Sequence, residues 1–135
     1  MQWAGDTVRK RLVIDTSILF GHTRNHAPAL AFMDAVSDQR LLVHGVGAAE
    51  MLAGVRDTRD LKSLVRYLSE FELVLPSEKD FTHCMELVRT LHLSHQLGWP
   101  DALIASTCLR LKLPLATTNV KHFSTVPGLR IVAPG

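Results

Sequence analysis

Short apolar segments without alternating polarity recur along the chain and constrain its fold more than any other feature. They occupy residues 11–15, 41–44, 72–75, 114–117 and 129–132. Between them lie longer stretches in which apolar residues recur every three or four positions, as on one face of a helix. Strands that are apolar on both faces and alternate with helices predict a parallel sheet covered on either side. We therefore expect a three-layer α/β/α domain with a short parallel sheet of four or five strands.

Helix signals fill the intervals between these segments. The apolar spacing predicts helices over residues 26–38, 46–55 and 58–71. Ser77 is placed to cap a further helix, whose expected apolar face includes Phe81 and Met85. Pro100 suits the first turn of a last helix that runs to about Lys112.

Length and composition exclude several classes of protein. The chain has 135 residues, of which 47% are hydrophobic and 21% charged, as in an ordinary globular protein. We expect one domain over residues 1–135. The longest uncharged run, residues 90–100, is far shorter than the ~20 apolar residues of a membrane span. Asp15 interrupts the apolar stretch that follows the basic N-terminal residues, so we expect no secretory signal and a cytoplasmic location.

The charge balance permits an anionic partner without requiring one. Lysine and arginine total 15 against 13 acidic residues, a net charge of +2. Two basic groups stand out, one near the N-terminus and one at helical spacing: Arg9, Lys10 and Arg11; and Arg56, Arg59, Lys62 and Arg66. Each is either a solvated surface or a contact for RNA phosphates or an acidic partner. Aromatic residues make up only 6%, so no series of rings for stacking on bases is indicated.

Cysteine and histidine give no sign of a zinc site. Cys84 and Cys108 lie among apolar residues and are expected to remain reduced and packed. His92 and His95 have helical spacing but no third ligand nearby, so we expect surface polar residues. His122 follows the fourth apolar segment, where it either borders a site or belongs to an ordinary turn.

Two carboxylates follow or accompany the first strands. Asp15 ends the first apolar segment, where it could cap a helix or serve a site at the sheet edge. Glu50 is the only charged residue between Arg40 and Arg56, in a stretch of small and apolar residues. We expect that helix to be buried, and a buried carboxylate requires a partner charge or a metal.

A third carboxylate and an amide are expected at the same edge. Asp101 begins the last long helix, where it favours either the helix dipole or a site. Thr117 and Asn119 follow the fourth strand. Carboxylates brought to one edge repel each other, by roughly 4 kcal/mol for a pair at ~4 Å. A divalent cation relieves that repulsion, and oxygen ligands select Mg²⁺ or Mn²⁺.

The ordered set of motifs resembles the PIN domain family, and its C-terminal part resembles the VapC-type toxins within that family. The similarity rests on Asp15-Thr16-Ser17 after a strand, Glu50 in Ala-Ala-Glu-Met-Leu, and Asp101 in Pro-Asp-Ala-Leu-Ile-Ala-Ser. The stretch Leu-Ala-Thr-Thr-Asn-Val-Lys-His-Phe at residues 115–123 completes the set. The resemblance implies a toxin ribonuclease of a toxin–antitoxin pair, a homodimer neutralised by a small antitoxin.

The resemblance also implies roles for individual residues. Asp15, Glu50 and Asp101 match acidic positions that hold Mg²⁺ or Mn²⁺, and Asn119 stands where a fourth acid is common. Supporting roles, in orienting a phosphate or a water, are expected of three hydroxyl residues: Thr16, Ser17 and Thr117. A different class of function remains open, a PIN-like module that binds RNA or protein and cleaves weakly, with a metal-dependent phosphatase as a third possibility.

Overall fold

Five strands and seven helices form within residues 9–135, the part of the chain described by the computed structural model. The strands are β1 (Arg11–Ile14), β2 (Arg40–His44), β3 (Glu72–Val74), β4 (Leu115–Ala116) and β5 (Ile131–Val132). The helices are α1 (Thr16–Thr23), α2 (Ala27–Ala35), α3 (Gly45–Ala53), α4 (Thr58–Leu68), α5 (Glu78–His95), α6 (Trp99–Leu111) and α7 (Val120–Phe123). No helix in this part of the chain is long and apolar enough to span a membrane.

All strand pairs are parallel, in the order β3-β2-β1-β4-β5. The chain builds outward from β1 to β3 and then returns to place β4 on the other side of β1. Strand order therefore reverses between β1 and β4, where Ile14 pairs with Ala116. In open parallel sheets, such a reversal opens a crevice beyond the carboxyl ends of the strands. The predicted three-layer architecture and the five-stranded sheet are confirmed.

The strand β1 is buried on both faces, which explains its unbroken apolar sequence. Leu12 and Ile14 pack into a core formed with α1, α2 and α3, whereas Val13 packs into a second core with α5 and α6. Each of these three side chains is about 1% exposed. Full burial of such a side chain contributes roughly 1.5–3 kcal/mol. The two cores hold the central strand, and hence the residue that follows it, in a fixed position.

The structure confirms two predicted helix starts and corrects the predicted apolar face of α5. Ser77 caps α5 in a reciprocal pair with Asp80, and Pro100 lies in the first turn of α6. The cap of α4 is Asp57, which accepts a hydrogen bond from Asp60 N at 2.8 Å. The expected burial of Phe81 and Met85 is wrong, because they are 49% and 66% exposed. The side of α5 that carries Cys84, Leu87, Val88 and Leu91 packs against the core.

A buried polar network, which the sequence did not reveal, joins β2, α5 and α6. His44 Nδ1 accepts a hydrogen bond from Val46 N, so the neutral ring donates through Nε2 to Thr107 Oγ1 at 3.0 Å. The Thr107 hydroxyl donates to Asp80 Oδ2 at 2.9 Å, and Arg110 Nε donates to Asp80 Oδ1 at 2.8 Å. Every member thus has a partner, as buried polar groups require.

Those contacts determine how the network ionises. Burial lowers the pKa of His44 to about 4, against the opposing attraction of Asp80. Burial alone would raise the pKa of Asp80, but hydrogen bonds from Arg110, the Ser77 backbone and Thr107 hold it at about 2. A neutral imidazole and an ionised carboxylate therefore coexist in the interior at neutral pH.

Candidate active site

Asp15 lies at the carboxyl end of β1, in the crevice where the strand order reverses. Its backbone N–H donates to Ala116 O at 2.8 Å, which continues the β1–β4 ladder to this residue. It occupies the N-cap position of α1, yet its side chain accepts no capping hydrogen bond from that helix. The side chain instead turns toward β4, and the residue is 8% exposed. Helix capping alone therefore does not account for this carboxylate.

Two hydroxyl groups hold the Asp15 carboxylate by the same oxygen. Ser17 Oγ donates to Oδ2 at 2.8 Å, and Thr117 Oγ1 donates to it at 2.7 Å. The other oxygen, Oδ1, accepts no hydrogen bond from residues 9–135. The protein thus positions one carboxylate oxygen and leaves the second free to bind a cation or a hydrogen-bond donor.

Backbone amides orient the two hydroxyls. Thr118 N donates to Ser17 Oγ at 3.1 Å, and Asn119 N donates to Thr117 Oγ1 at 2.9 Å. Since each oxygen accepts from an amide, its own hydrogen is available for Asp15. The turn after β4 therefore supports the first strand end through Ser17 and Thr117. The expected role of these two residues, to orient a phosphate or a water, stays a prediction.

Glu50 reaches the site from α3, which follows β2. Its predicted burial is wrong, because the residue is exposed: the small side chains around it leave that side of α3 open to solvent. Partial burial of the carboxyl group, and then the charge of Asp15, nevertheless raise the pKa of Glu50. The pKa shift indicates that the two carboxylates interact electrostatically.

A glycine allows α3 to approach α1 closely. A Cβ atom on Gly47 would lie 2.9 Å from Thr16 Cγ2, closer than such atoms come in real structures. Thr16 thus contributes a packing contact to the site. Gly47 lies one turn before Glu50 on the same helix, so this contact fixes the position of that carboxylate relative to Asp15.

Asp101 is in the first turn of α6 and is half-buried. Burial, followed by the charges of Asp15 and Glu50, raises its pKa to about 6, and His122 acts in the opposite direction. Among residues 9–135, no lysine or arginine forms an ion pair with any of the three acids. The crevice therefore collects negative charge that the described chain leaves unneutralised.

Asn119 and His122 border the crevice beyond β4. Asn119 Nδ2 donates to His122 Nδ1 across 3.1 Å, and Phe123 beside them is fully buried. Phe123 packs inward as expected, but His122 belongs to the short helix α7 and not to an ordinary turn. Its ring also lies within electrostatic reach of Asp101. His92 and His95 are exposed, and both cysteines are buried and free, as expected.

The donor set suits a hard divalent cation. The crevice offers carboxylate and amide oxygens, the ligand type that Mg²⁺ and Mn²⁺ prefer. A cation would also relieve the repulsion that raises the pKa of Asp101. Within residues 9–135, however, no three His, Cys, Asp or Glu side chains already form a metal-ligand cluster. The residues fit such an ion by chemistry and charge.

Beside a broad cavity, the predicted basic stripe runs along α4 and includes Arg56, two residues before that helix. Its members are exposed, in agreement with either sequence interpretation: Arg56, Arg59, Lys62 and Arg66. A cavity of about 920 Å³ opens where α1 and α2 face α3 and α4. Phe20, Met51 and Tyr67 form apolar parts of its lining, and Arg56 lies at its margin. His22 Nδ1 and the Tyr67 hydroxyl are 2.7 Å apart across this cavity wall.

Comparisons with known proteins agree with the observed architecture. The sequence model of the PIN domain matches residues 12–129. Ribonuclease VapC19 of Mycobacterium tuberculosis is 31% identical over 121 residues, covering 87% of this chain and 96% of that protein. A toxin–antitoxin complex from Klebsiella pneumoniae superposes with a TM-score of 0.76 at 23% identity, covering 92% of this chain and 98% of that one. VapBC2 from Rickettsia felis, bound to a DNA fragment from its promoter, superposes with a TM-score of 0.75 at 22% identity, covering 91% of this chain and 98% of that one.

Proposed function

Because the chain belongs to the PIN domain family, we propose that it is a metal-dependent endoribonuclease that hydrolyses RNA phosphodiesters. The observation that carries the proposal is the Asp15 carboxylate, held on one oxygen by Ser17 and Thr117 and electrostatically linked to two further acids. The name of the relative VapC19 as a ribonuclease supports the same reaction class. We place the protein in the cytoplasm, with its RNA substrate.

The proposed mechanism assigns distinct tasks to the acids. Asp15 and Asp101 would hold Mg²⁺ or Mn²⁺, and Glu50 would ligate the ion directly, ligate it through water, or act as a base. When bound, the ion lowers the pKa of a water and neutralises charge on the phosphoryl group. Ser17 and Thr117 keep Asp15 in one orientation, so Oδ1 faces the crevice without rearrangement. Asn119 contributes a neutral amide where a fourth acid is common.

We further propose that the protein is the toxin of a toxin–antitoxin pair. Solved neighbours are described as toxin–antitoxin and VapBC complexes, which supports this assignment. The 920 Å³ cavity suits a segment of the antitoxin, because Phe20, Met51 and Tyr67 can cover apolar groups and Arg56 an acidic one. Such a segment would lie near Glu50, because Glu50 and the cavity residue Met51 are neighbours on α3.

Homodimer formation is also part of the proposal. Phe81, Met85 and Trp99 are all about half exposed or more. The first two flank Cys84 on α5, whose Sγ contacts Trp99 O at 3.4 Å. These exposed apolar side chains belong to the packed helices α5 and α6, and we propose that a second copy covers them. Sedimentation of Met85→Glu should show monomer where the unchanged protein shows dimer.

Cleavage of total RNA by purified, antitoxin-free protein tests the nuclease proposal. Discrete fragments are expected with Mg²⁺ or Mn²⁺, and none with excess EDTA or with Asp15→Asn. Asp34→Asn is the matched control, since Asp34 is an exposed acid on α2, and it should cleave normally. Cleavage that persists in folded Asp15→Asn would remove this residue from the site.

The second candidate function is a binding module that cleaves weakly or not at all. Asn119 favours it, because a neutral amide replaces an acid and weakens attraction for a second cation. Calorimetric titration with Mn²⁺ separates the two functions. Saturable binding that Asp15→Asn abolishes supports the nuclease, and its absence at neutral pH supports the binding module.

A further inference from the structure

A cavity with basic walls lies at the end of the sheet opposite the candidate active site. It encloses about 450 Å³ beside the amino ends of β1 and β4. Four cations line this basic cavity: Lys10 and Arg11 at the start of β1, Lys112 after α6, and Arg130 before β5. All four are exposed, and no Asp or Glu occurs among the described residues that line it. An anion that enters therefore meets positive charge from several elements.

The four cations of the basic cavity lack acidic partners within residues 9–135. Glu72 lies within electrostatic reach of Arg11, but Arg40 already binds both of its oxygens, at 2.8 and 2.5 Å. That carboxylate is also absent from the cavity lining. The described chain thus leaves the positive charge of the cavity available to a ligand.

Lys112 adds an observation about the backbone. Its φ is 55°, in the left-handed region that glycine adopts without a steric penalty. The position ends α6, where glycine is the common residue and a cation also favours the helix dipole. The dipole accounts for a charge at Lys112, but it does not account for Lys10, Arg11 and Arg130, which flank strands. Their convergence on one cavity is therefore a property of the tertiary structure.

We propose that the basic cavity binds phosphate groups of the RNA that is cut at the opposite end of the sheet, an inference that rests on the proposed function. The edge strand β5 provides a short path between the two places. Leu115 N donates to Arg130 O, and Thr117 N donates to Val132 O. Measured along the strand, Arg130 and Thr117 are therefore two residues, or ~7 Å, apart. Thr117 is the residue that holds Asp15 by a hydrogen bond. One RNA strand that passes over this edge contacts both.

Binding measurements in an inactive background test the basic cavity separately from catalysis. The probe is a stem-loop RNA, titrated with Asp15→Asn protein over a range of salt concentrations. Lys112→Glu and Arg130→Glu each remove one cavity cation, and Lys79→Glu is the matched control, an exposed lysine on α5 outside the cavity. Each cavity variant should weaken binding severalfold. It should also reduce the slope of log affinity against log salt by about 0.7–0.9, the value for one lost phosphate contact.

Active protein provides a second readout. Arg130→Glu should raise KM for RNA and leave kcat unchanged, because the cavity contacts substrate and transition state equally. Equal affinities and salt slopes for the cavity variants and Lys79→Glu would overturn the proposal. A second result would also overturn it: polyglutamate binds in the cavity, and the affinity for RNA does not change. That result would assign the cavity to an acidic protein. Should Lys112→Glu fail to fold, Arg130→Glu gives the same test. Failure of the unchanged protein to cleave RNA refutes the nuclease proposal alone, because binding is read without cleavage.

Discussion

The hydroxyl of Thr117 donates a hydrogen bond of 2.7 Å to Asp15 Oδ2, although 102 positions separate the two residues in the sequence. Thr117 is fully buried, and its oxygen also accepts from Asn119 N. The contact therefore joins the ends of β1 and β4 and the turn that carries Asn119. Loss of this hydroxyl should disturb the position of Asp15 more than the stability of the sheet.

Thr117→Val tests that relationship, because valine keeps the shape and removes the hydroxyl. Groups that orient a metal ligand typically change metal affinity or activity 10–100-fold when lost, and we expect a decrease of roughly 10-fold or more in Mn²⁺ affinity. Calorimetry measures it. Thr118→Val is the control, since Thr118 is exposed and only its backbone contacts Ser17. Equal affinities for the two variants would contradict a positioning role for Thr117.

Asp101→Asn should stabilise the metal-free protein at neutral pH. The pKa of Asp101 is raised to about 6, above its ordinary 3.8, so its contribution to stability is complete below about pH 4 and is lost as pH rises through 6. A rise of this size corresponds to at most about 3 kcal/mol. We expect a higher Tm for Asp101→Asn than for the unchanged protein near pH 8 without metal. Mn²⁺ should raise the Tm of the unchanged protein only.

The same comparison near pH 4 provides the control for Asp101→Asn. There the unchanged residue is protonated, and the difference in Tm between the two proteins should largely disappear. A Tm difference that does not depend on pH would attribute the effect to packing and not to ionisation of the half-buried Asp101 carboxyl group.

For His44, in the buried network, we predict the opposite pH dependence of folding stability. Its pKa falls from 6.5 to about 4 on folding, so the stability it contributes is complete above 6.5 and is lost as pH falls through 4. The shift corresponds to about 3 kcal/mol. Urea unfolding of His44→Gln, followed from pH 7 to pH 4, should therefore show a smaller loss of stability than the unchanged protein. A parallel decline in both proteins would exclude His44 as the group responsible.

Gly47→Ala should displace α3 and impair the site. The added Cβ meets Thr16 Cγ2 at 2.9 Å, and overpacking of this kind typically costs about 1–3 kcal/mol. We expect a lower Tm and reduced cleavage, because Glu50 moves with the helix. Gly54→Ala, at the C-cap of the same helix, is the control, since its Cβ would meet only Met51 O and Glu50 O, at 3.5 and 3.7 Å. Similar cleavage by both variants would show that the position of α3 does not limit activity.

Local sequence determined the strands, most helix ends and the identity of the principal acids. The apolar run of β1 predicts burial on both faces because no polar residue interrupts it between Leu12 and Ile14. Ser77 and Pro100 mark helix starts because capping and the fixed φ of proline act within a few residues. The same local reasoning predicts Asp15 at a strand end.

Only the tertiary structure decided which groups meet. The exposure of Glu50 follows from how α3 packs, and the pairing of Asp80 with Arg110 follows from the contact of α5 with α6. The basic cavity is formed by β1, α6 and β5 together. Burial and charge interactions depend on distances between residues far apart in the chain. Local pattern therefore specifies the elements, whereas the packing of both cores sets the distances on which pKa, hydrogen bonding and ligand binding depend.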